Sequence, residues 1–160
     1  MKSQVNDASV PKEKLNVFIS YSRCDMAIAD VLVTTLEKAD FKVTIDRRDL
    51  PYGEEWQKEL ADFIRASDTV IWLVSPDSVK SKWCNWELGE VGRLNKRLVP
   101  IQIRVIAPEE LPENLGKIHM LPAQGIYAVD QHFAILVATL NPIVVGSKKQ
   151  QGLLTERASG

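Results

Sequence analysis

The sequence predicts an α/β fold in which a parallel sheet of five strands has helices packed on both faces. Short runs rich in β-branched and aromatic residues alternate with longer segments whose apolar residues recur at helical spacing. This alternation is typical of parallel strands joined by crossover helices. The 160 residues, of which 45% are hydrophobic, are enough for one sizeable core. A single domain is therefore expected.

The first half of the folded region is predicted to contain three strands and two helices. The apolar runs that predict strands are Leu15 to Tyr21, Phe41 to Ile45 and Thr69 to Val74. The helix after the first strand begins near Asp25, and its apolar face is formed by Ile28, Leu32, Leu36 and Ala39. The helix before the third strand has an apolar face formed by Trp56, Leu60, Phe63 and Ile64. Pro51 and Gly53 indicate a long, charged loop from Asp46 to Glu54.

The second half continues the alternation with weaker signals. Ser75 and Pro76 end the third strand, and Ser81 is predicted to cap a helix whose inward residues are Cys84, Leu88 and Val91. A fourth strand, made irregular by Pro100, is expected over Leu98 to Ile103. Residues 107–117 are predicted to hold a short helix, and Gly125 to Val129 a weak fifth strand. A last helix is expected between Asp130 and Pro142, with an apolar face formed by Phe133, Leu136, Val137 and Leu140.

Composition separates a folded domain from two polar ends and excludes several classes of partner. Residues 1–14 are predicted to be a disordered N-terminal segment, 15–145 the domain, and 146–160 a flexible tail or linker. The net charge of -1 argues against a nucleic-acid partner. Because no apolar run could span a bilayer and no signal peptide is evident, a cytoplasmic protein without a membrane partner is expected. Cys24, Cys84, His119 and His132 lack metal-ligand spacing, so no metal is expected.

Topology rules locate a candidate site before any motif is considered. Right-handed crossovers favour the strand order 2-1-3-4-5, which is a flavodoxin-like three-layer sandwich. In such sheets ligands bind in the crevice beyond the carboxyl ends of strands one and three. The residues expected at that rim are Ser20, Tyr21, Ser22, Arg23, Ser75, Pro76 and the start of the helix that carries Glu87.

Glu87 is the candidate catalytic residue at this rim. Trp83 precedes it by four positions, so an indole lies on the same helix face as the carboxylate. Cleavage of a nicotinamide-ribose bond develops positive charge on the ribose, which a fixed carboxylate can stabilise while an indole stacks on the leaving ring. The alternative is that Glu87 is an ordinary solvated residue beside Glu90 and that Trp83 belongs partly to the core.

The charged residues near the rim also have two interpretations. The guanidinium groups of Arg23, Arg47 and Arg48 suit a pyrophosphate, or they are surface cations. The carboxylates of Asp46 and Asp49 suit ribose hydroxyls, or they cap turns. There is no G-x-x-x-x-G-K-[ST] loop and no strand-linked G-x-G-x-x-G motif. If NAD+ binds, it is therefore expected as a substrate that is cleaved, with no retained cofactor.

Three segments, in the same order, resemble TIR (Toll/interleukin receptor) domains over about residues 15–140. Val17 to Asp25 (VFISYSRCD) is similar to the opening strand and loop of the family. Asp46 to Trp56 (DRRDLPYGEEW) is similar to its BB loop, in a compact form that resembles prokaryotic members. Ser75 and Pro76, followed by Ser81 to Leu88 (SKWCNWEL), resemble the S-x-W-C-x-x-E-L helix start.

The resemblance implies an NAD+ glycohydrolase with Glu87 as the catalytic residue. The resemblance implies that the substrate is contacted by Tyr21, Ser22, Arg23, Asp46, Trp56 and Trp83. Ser75 is added as a binding residue because it is expected at the same rim. It implies self-association through an interaction loop made of Arg47, Arg48, Asp49, Leu50, Pro51, Tyr52 and Gly53. The products would be nicotinamide and ADP-ribose or a cyclic variant. The expected setting is defence signalling, with a sensor or oligomerisation domain on a longer chain.

Two alternatives to an enzyme are weighed. One is a non-catalytic TIR-TIR interaction module, an adaptor or a mimic of one, in which Asp46 to Glu55 forms the contact surface. The other is a response-regulator receiver with the same fold class. The receiver is disfavoured because no acidic pair follows the first strand, and Ser75 stands where a phosphorylated Asp would follow the third.

Overall fold

The computed structural model describes residues 14–47, 53–113, 115, 121–122 and 140. The strands are β1 (Asn16–Ser20), β2 (Lys42–Ile45), β3 (Thr69–Val74), β4 (Arg97–Gln102) and β5 (Leu121–Pro122). The α-helices are α1 (Met26–Lys38), α2 (Gly53–Ala66), α3 (Pro76–Lys80) and α4 (Lys82–Arg93). Two turns of 3₁₀ helix, Arg23–Asp25 and Pro108–Glu110, complete the described elements. Within them, no helix is long and apolar enough to cross a membrane.

The sheet is parallel and its strands lie in the order β2-β1-β3-β4-β5, in which the order of the first four is the one that the sequence predicts. The fifth position is held by the two-residue strand β5, which pairs with the end of β4. The strand predicted over residues 125–129 lies outside the described residues, as does the predicted last helix except for Leu140, which is helical and buried. Ile19 of β1 stands opposite Ile45 of β2 and Ile71 of β3. β1 and β2 therefore end within one residue of each other, whereas β3 continues two residues past the end of β1.

Helices cover both faces of the sheet. Alternate residues of each strand point to opposite sides, so each face carries its own apolar side chains for a helix to pack on. Val17 and Ile19 of β1 pack in the cluster that contains Leu32 and Leu36 of α1. Phe18 packs on the other face in a cluster whose helical members include Leu60, Ile64 and Val91. Each residue of β3 is buried, which accounts for its continuous apolar sequence at the centre of the sheet.

Local signals explain where several elements begin and end. Helix α2 begins at Gly53, so the predicted loop to Glu54 is two residues too long at its end. Helix α3 was missed by the sequence prediction, although Ser75 caps it through the N–H of Ser78 and Pro76 occupies its first turn. Two residues after the ends of helices α1 and α4 stand residues in the left-handed region, Asp40 (φ 72°) and Asn95 (φ 51°), where a helix cannot continue.

Candidate active site

A cavity of about 280 Å³ lies beyond the carboxyl ends of β1 and β2, beside the first turns of α2 and α4. Its lining residues are Ile19, Tyr21, Ser22, Arg23, Asp46, Trp56, Ser81, Trp83, Cys84 and Glu87. Seven of these are predicted site residues, drawn from three separate segments of the chain. The ends of β1 and β2 lie side by side, and α2 and α4 begin beside them, which brings those segments together.

Ser75 is the predicted binding residue that the structure places elsewhere. Its side chain is fully buried, and its hydroxyl donates to Oδ2 of Asp25 at 2.5 Å. The same hydroxyl oxygen accepts the backbone N–H of Ser78 at 3.1 Å. Because Pro76 starts a helix directly after β3, Ser75 turns inward as the cap of that helix and does not line the cavity.

Glu87 lies in the second turn of α4 and is only 7% exposed. The hydroxyl of Ser20, the last residue of β1, donates a hydrogen bond to its Oε2. The pKa of Glu87 is raised to about 8, mainly by burial and also by the negative charge of Asp46, while the Ser20 hydrogen bond and the charge of Arg23 oppose this shift. The alternative of a solvated Glu87 is therefore wrong; it is Glu90, one turn on, that pairs with Arg93 at 2.6 Å.

Tryptophan side chains form one wall of the cavity. The rings of Trp56 and Trp83 meet edge to face, with centroids 4.4 Å apart and planes at 85°. Trp86 adds a second edge contact to Trp83, at 6.5 Å and 66°. Trp83 also packs against the core cluster that contains Phe18. Trp83 therefore lines the cavity, as predicted. It also belongs partly to the core, which was the alternative interpretation of this residue.

Asp46 and Arg23 place opposite charges at the same cavity. Oδ2 of Asp46 accepts the indole N–H of Trp56 at 3.1 Å, and its backbone carbonyl accepts the hydroxyl of Tyr21 at 2.9 Å. Arg47 points the other way and pairs with Asp30 of α1, so it does not line the cavity. Of the three arginines predicted for a pyrophosphate, the structure places Arg23 at the site. Residues 48–52 of the predicted interaction loop lie outside the described residues.

Comparison with known proteins decides the family. The family model described as "TIR domain" matches residues 17–137, most of the chain. The chain belongs to the TIR domain family. The predicted family and fold class are thereby confirmed, while a closer relation to prokaryotic members stays a prediction.

Receptors are similar to this TIR domain in sequence, and an enzyme is similar to it in fold. Toll-like receptor 6 of Mus musculus is 28% identical over 74% of this chain, which spans only 16% of the receptor. The TIR domain of the Toll-related receptor TRR-2 from Hydra magnipapillata is 26% identical, with a TM-score of 0.61 over 78% of this chain and 93% of that one. A CMP N-glycosidase of Clostridium botulinum has a TM-score of 0.58 over 76% of this chain and 98% of its own, but at 15% identity it shows the fold alone.

Three residues of the TIR cavity were not predicted as site residues. Ser81 was predicted only as a helix cap, and its hydroxyl does accept the N–H of Cys84 at 3.3 Å. Cys84 was predicted as a small buried hydrophobe; burial and the charge of Glu87 raise the pKa of its thiol to about 11. Ile19 was assigned to the core, which it also joins. The spacing of Cys84 three residues before Glu87 was the signal that could have placed it on the same helix face.

An ion pair between the buried Asp25 and the partly exposed Arg104 supports the turn that carries Arg23, and it too was missed. Asp25, which is 3% exposed, accepts hydrogen bonds from Arg104 and from Ser75. Arg104 also donates to Asp77 at 2.6 Å. These contacts tie the segments after β1, β3 and β4 to one another. Among the described residues, no group of side chains has the composition of a metal site.

Proposed function

We propose that this TIR domain cleaves the nicotinamide-ribose bond of NAD+, with Glu87 as the catalytic carboxylate. The observation that carries the proposal is the buried carboxyl group of Glu87 in the wall of a cavity that two tryptophans also line. Departure of nicotinamide leaves a ribose with oxocarbenium character. A fixed carboxylate in a site from which water is excluded stabilises such a cation far more than it would in water.

The other lining residues have roles that follow from their chemistry. Nicotinamide leaves as a neutral base, so one carboxylate suffices and no general acid is required. Trp83 and Trp56 offer aromatic surface to the pyridine ring. Arg23 suits a phosphate oxygen, and Asp46 suits a ribose hydroxyl.

The size of the cavity supports activation by self-association. Its volume of about 280 Å³ lies just below the usual range of ligand pockets, about 300 to 1,000 Å³. This volume suits the nicotinamide riboside half of NAD+, and the adenosine half then extends past the rim. We propose that a second TIR domain contacts that half through residues 47–53, so that clustering raises activity. A sensor or oligomerisation domain on a longer chain would then control turnover in defence signalling.

A non-catalytic TIR-TIR interaction module is the second candidate function. The observation that favours it is the similarity to Toll-like receptor 6, at 28% identity. This candidate predicts specific self-association with no consumption of NAD+ in any format. The buried Glu87 would then have only a structural role.

The deciding experiment measures NAD+ consumption by the free protein and by protein crowded on beads. Glu87→Gln keeps the size of the side chain and removes the charge, and Glu90→Gln makes the same change one helical turn away, outside the cavity. We expect turnover that rises on crowding, falls by roughly 100-fold or more in Glu87→Gln, and is unchanged in Glu90→Gln. Chromatography of the products separates ADP-ribose from a cyclic form. Full turnover by a folded Glu87→Gln would refute the proposal; no turnover by the wild type in either format would favour the interaction module.

A further inference from the structure

We infer that Ser20 is a positioning residue for the reaction, which holds the carboxyl group of Glu87 in its working orientation from the end of β1. The inference rests on the proposed function, because it assigns a role toward the same carboxylate. Ser20 itself is not among the side chains that line the cavity. It acts through Glu87.

The backbone of Ser20 is held rigidly by the sheet. Ser20 is the last residue of β1, a strand flanked by β2 and β3, and it stands opposite Trp72 of the central strand β3. By the alternation along a strand, its side chain is on the same side as Phe18, the side packed by α2 and α4. The sheet thus fixes the Ser20 hydroxyl where it can donate to Glu87 of α4, 67 positions away in the sequence.

Ser20 is only 3% exposed, so its hydroxyl is buried. Burying a hydroxyl is unfavourable unless it makes a hydrogen bond. Here the bond goes to Oε2 of Glu87, a flexible side chain whose plane is set once one oxygen is held. The hydroxyl can also accept a proton from a neutral carboxyl group, so the contact is possible in both protonation states.

Ser20 also favours the charged form of the carboxyl group that the proposed reaction needs. Donation from its hydroxyl opposes the increase in the pKa of Glu87 that burial causes. The other titratable or charged groups that line the cavity are Tyr21 and Arg23 after β1, Asp46 after β2, and Cys84 on α4. Asp46 acts in the opposite direction to Ser20, and Arg23 acts in the same direction.

The test compares Ser20→Ala with Ser20→Thr, which keeps the hydroxyl and suits a strand. We expect Ser20→Ala to raise the pH at which Glu87 ionises by about one unit, which leaves roughly tenfold less carboxylate at pH 7. Turnover at pH 7 should fall by about the same factor, recover partly at higher pH, and return to within about twofold of the wild type in Ser20→Thr. Ser67→Ala is the matched control, because Ser67 is equally buried but donates to the carbonyl of Ile64, outside the cavity.

Ionisation of Glu87 is followed separately by carbon NMR of its carboxyl group, in folded protein and without substrate. If Ser20→Ala ionises and turns over as the wild type does, or if Ser67→Ala shifts the ionisation equally, the inference is overturned. If the wild type does not consume NAD+, the proposed function fails, yet the NMR titration still decides whether Ser20 controls this carboxyl group. Should Ser20→Thr be unstable, the comparison of Ser20→Ala with Ser67→Ala decides alone.

Discussion

The indole N–H of Trp56 donates to Oδ2 of Asp46 across 3.1 Å, and this bond ties the first turn of α2 to the residue that follows β2. The two residues flank the segment 48–52 and both line the cavity. The hydroxyl of Tyr21 holds the backbone of Asp46 from the other side. The position of the Asp46 charge relative to Glu87 therefore depends on Trp56.

Trp56→Phe should weaken both substrate binding and folding. Phenylalanine keeps an aromatic ring beside Trp83 but cannot donate to Asp46, so the free energy of unfolding should fall by about 1–2 kcal/mol. The KM for NAD+ should rise several-fold with a smaller change in kcat. Urea unfolding and initial-rate kinetics test this. Trp86→Phe is the control, since Trp86 contacts Trp83 without lining the cavity; an equal increase of KM there would contradict the assignment.

The activity of the free enzyme should depend on pH through Glu87. With a pKa of about 8, most molecules carry a neutral Glu87 at pH 7. If the carboxylate is the working form, kcat/KM should rise about tenfold per pH unit below pH 8 and level off above it. Asp46→Asn removes a negative charge that raises this pKa, so its profile should shift to lower pH. A flat profile between pH 6 and about 9 would exclude Glu87 ionisation as the controlling step.

Stability should change with pH in the opposite sense. The pKa of Glu87 in the folded protein, about 8, lies above its ordinary value of 4.5, so the folded state binds more protons than the unfolded state between these values. The stabilising effect of protonation is complete below about pH 4.5 and is lost as the pH rises through 8. The free energy of unfolding of the wild type should therefore fall over this range, by at most about 1.4 kcal/mol per pH unit, relative to Glu87→Gln. Urea unfolding at several pH values measures the difference, and parallel curves for the two proteins would contradict it.

The two carboxylates that contact Arg104 should differ in their contribution to stability. Asp25 has a side chain only 1% exposed, whereas that of Asp77 is 43% exposed. Asp25→Ala leaves the buried hydroxyl of Ser75 without its acceptor and takes one of two partners from Arg104, so it should lower the free energy of unfolding by about 2 kcal/mol. Asp77→Ala should lower it by less than about 1 kcal/mol. Chemical denaturation measures the free energy of unfolding of both variants. Equal losses would show that burial of the carboxylate does not decide how much each contact with Arg104 stabilises the fold.

Gly92→Ala should stabilise the domain. Gly92 lies in α4, is exposed, and has no atom within 4 Å of the place where a Cβ would be. Alanine in a helix interior is more stable than glycine by about 0.5–1 kcal/mol. The melting temperature should rise without a change in NAD+ turnover. Gly89→Ala, which meets equally open space in the same helix, should reproduce the gain. A loss of stability in both variants would contradict the open space found beside both glycines.

Much of the cavity could be predicted because its residues are at predictable places along the chain. Tyr21 to Arg23 follow β1, Asp46 follows β2, and Glu87 follows the cap at Ser81 by six residues. Parallel strands bring their carboxyl ends to one edge, so the positions after them converge. Ser75 was misplaced by the same rule, because it follows β3 but is drawn inward to cap α3. A rule about strand ends cannot tell which side chains turn toward the ligand.

The sequence by itself determined the fold class, the order of the first four strands and the three segments that meet at the site, because periodicity and capping act over a few neighbouring residues. The tertiary structure alone decided the burial of Glu87 and its hydrogen bond with Ser20, 67 residues away, and the pairing of Asp25 with Arg104, 79 residues away. Such contacts depend on which strand and helix ends the completed sheet places together. The same holds for the pKa of Glu87, since it is set mainly by loss of water around the carboxyl group, which no local sequence pattern specifies.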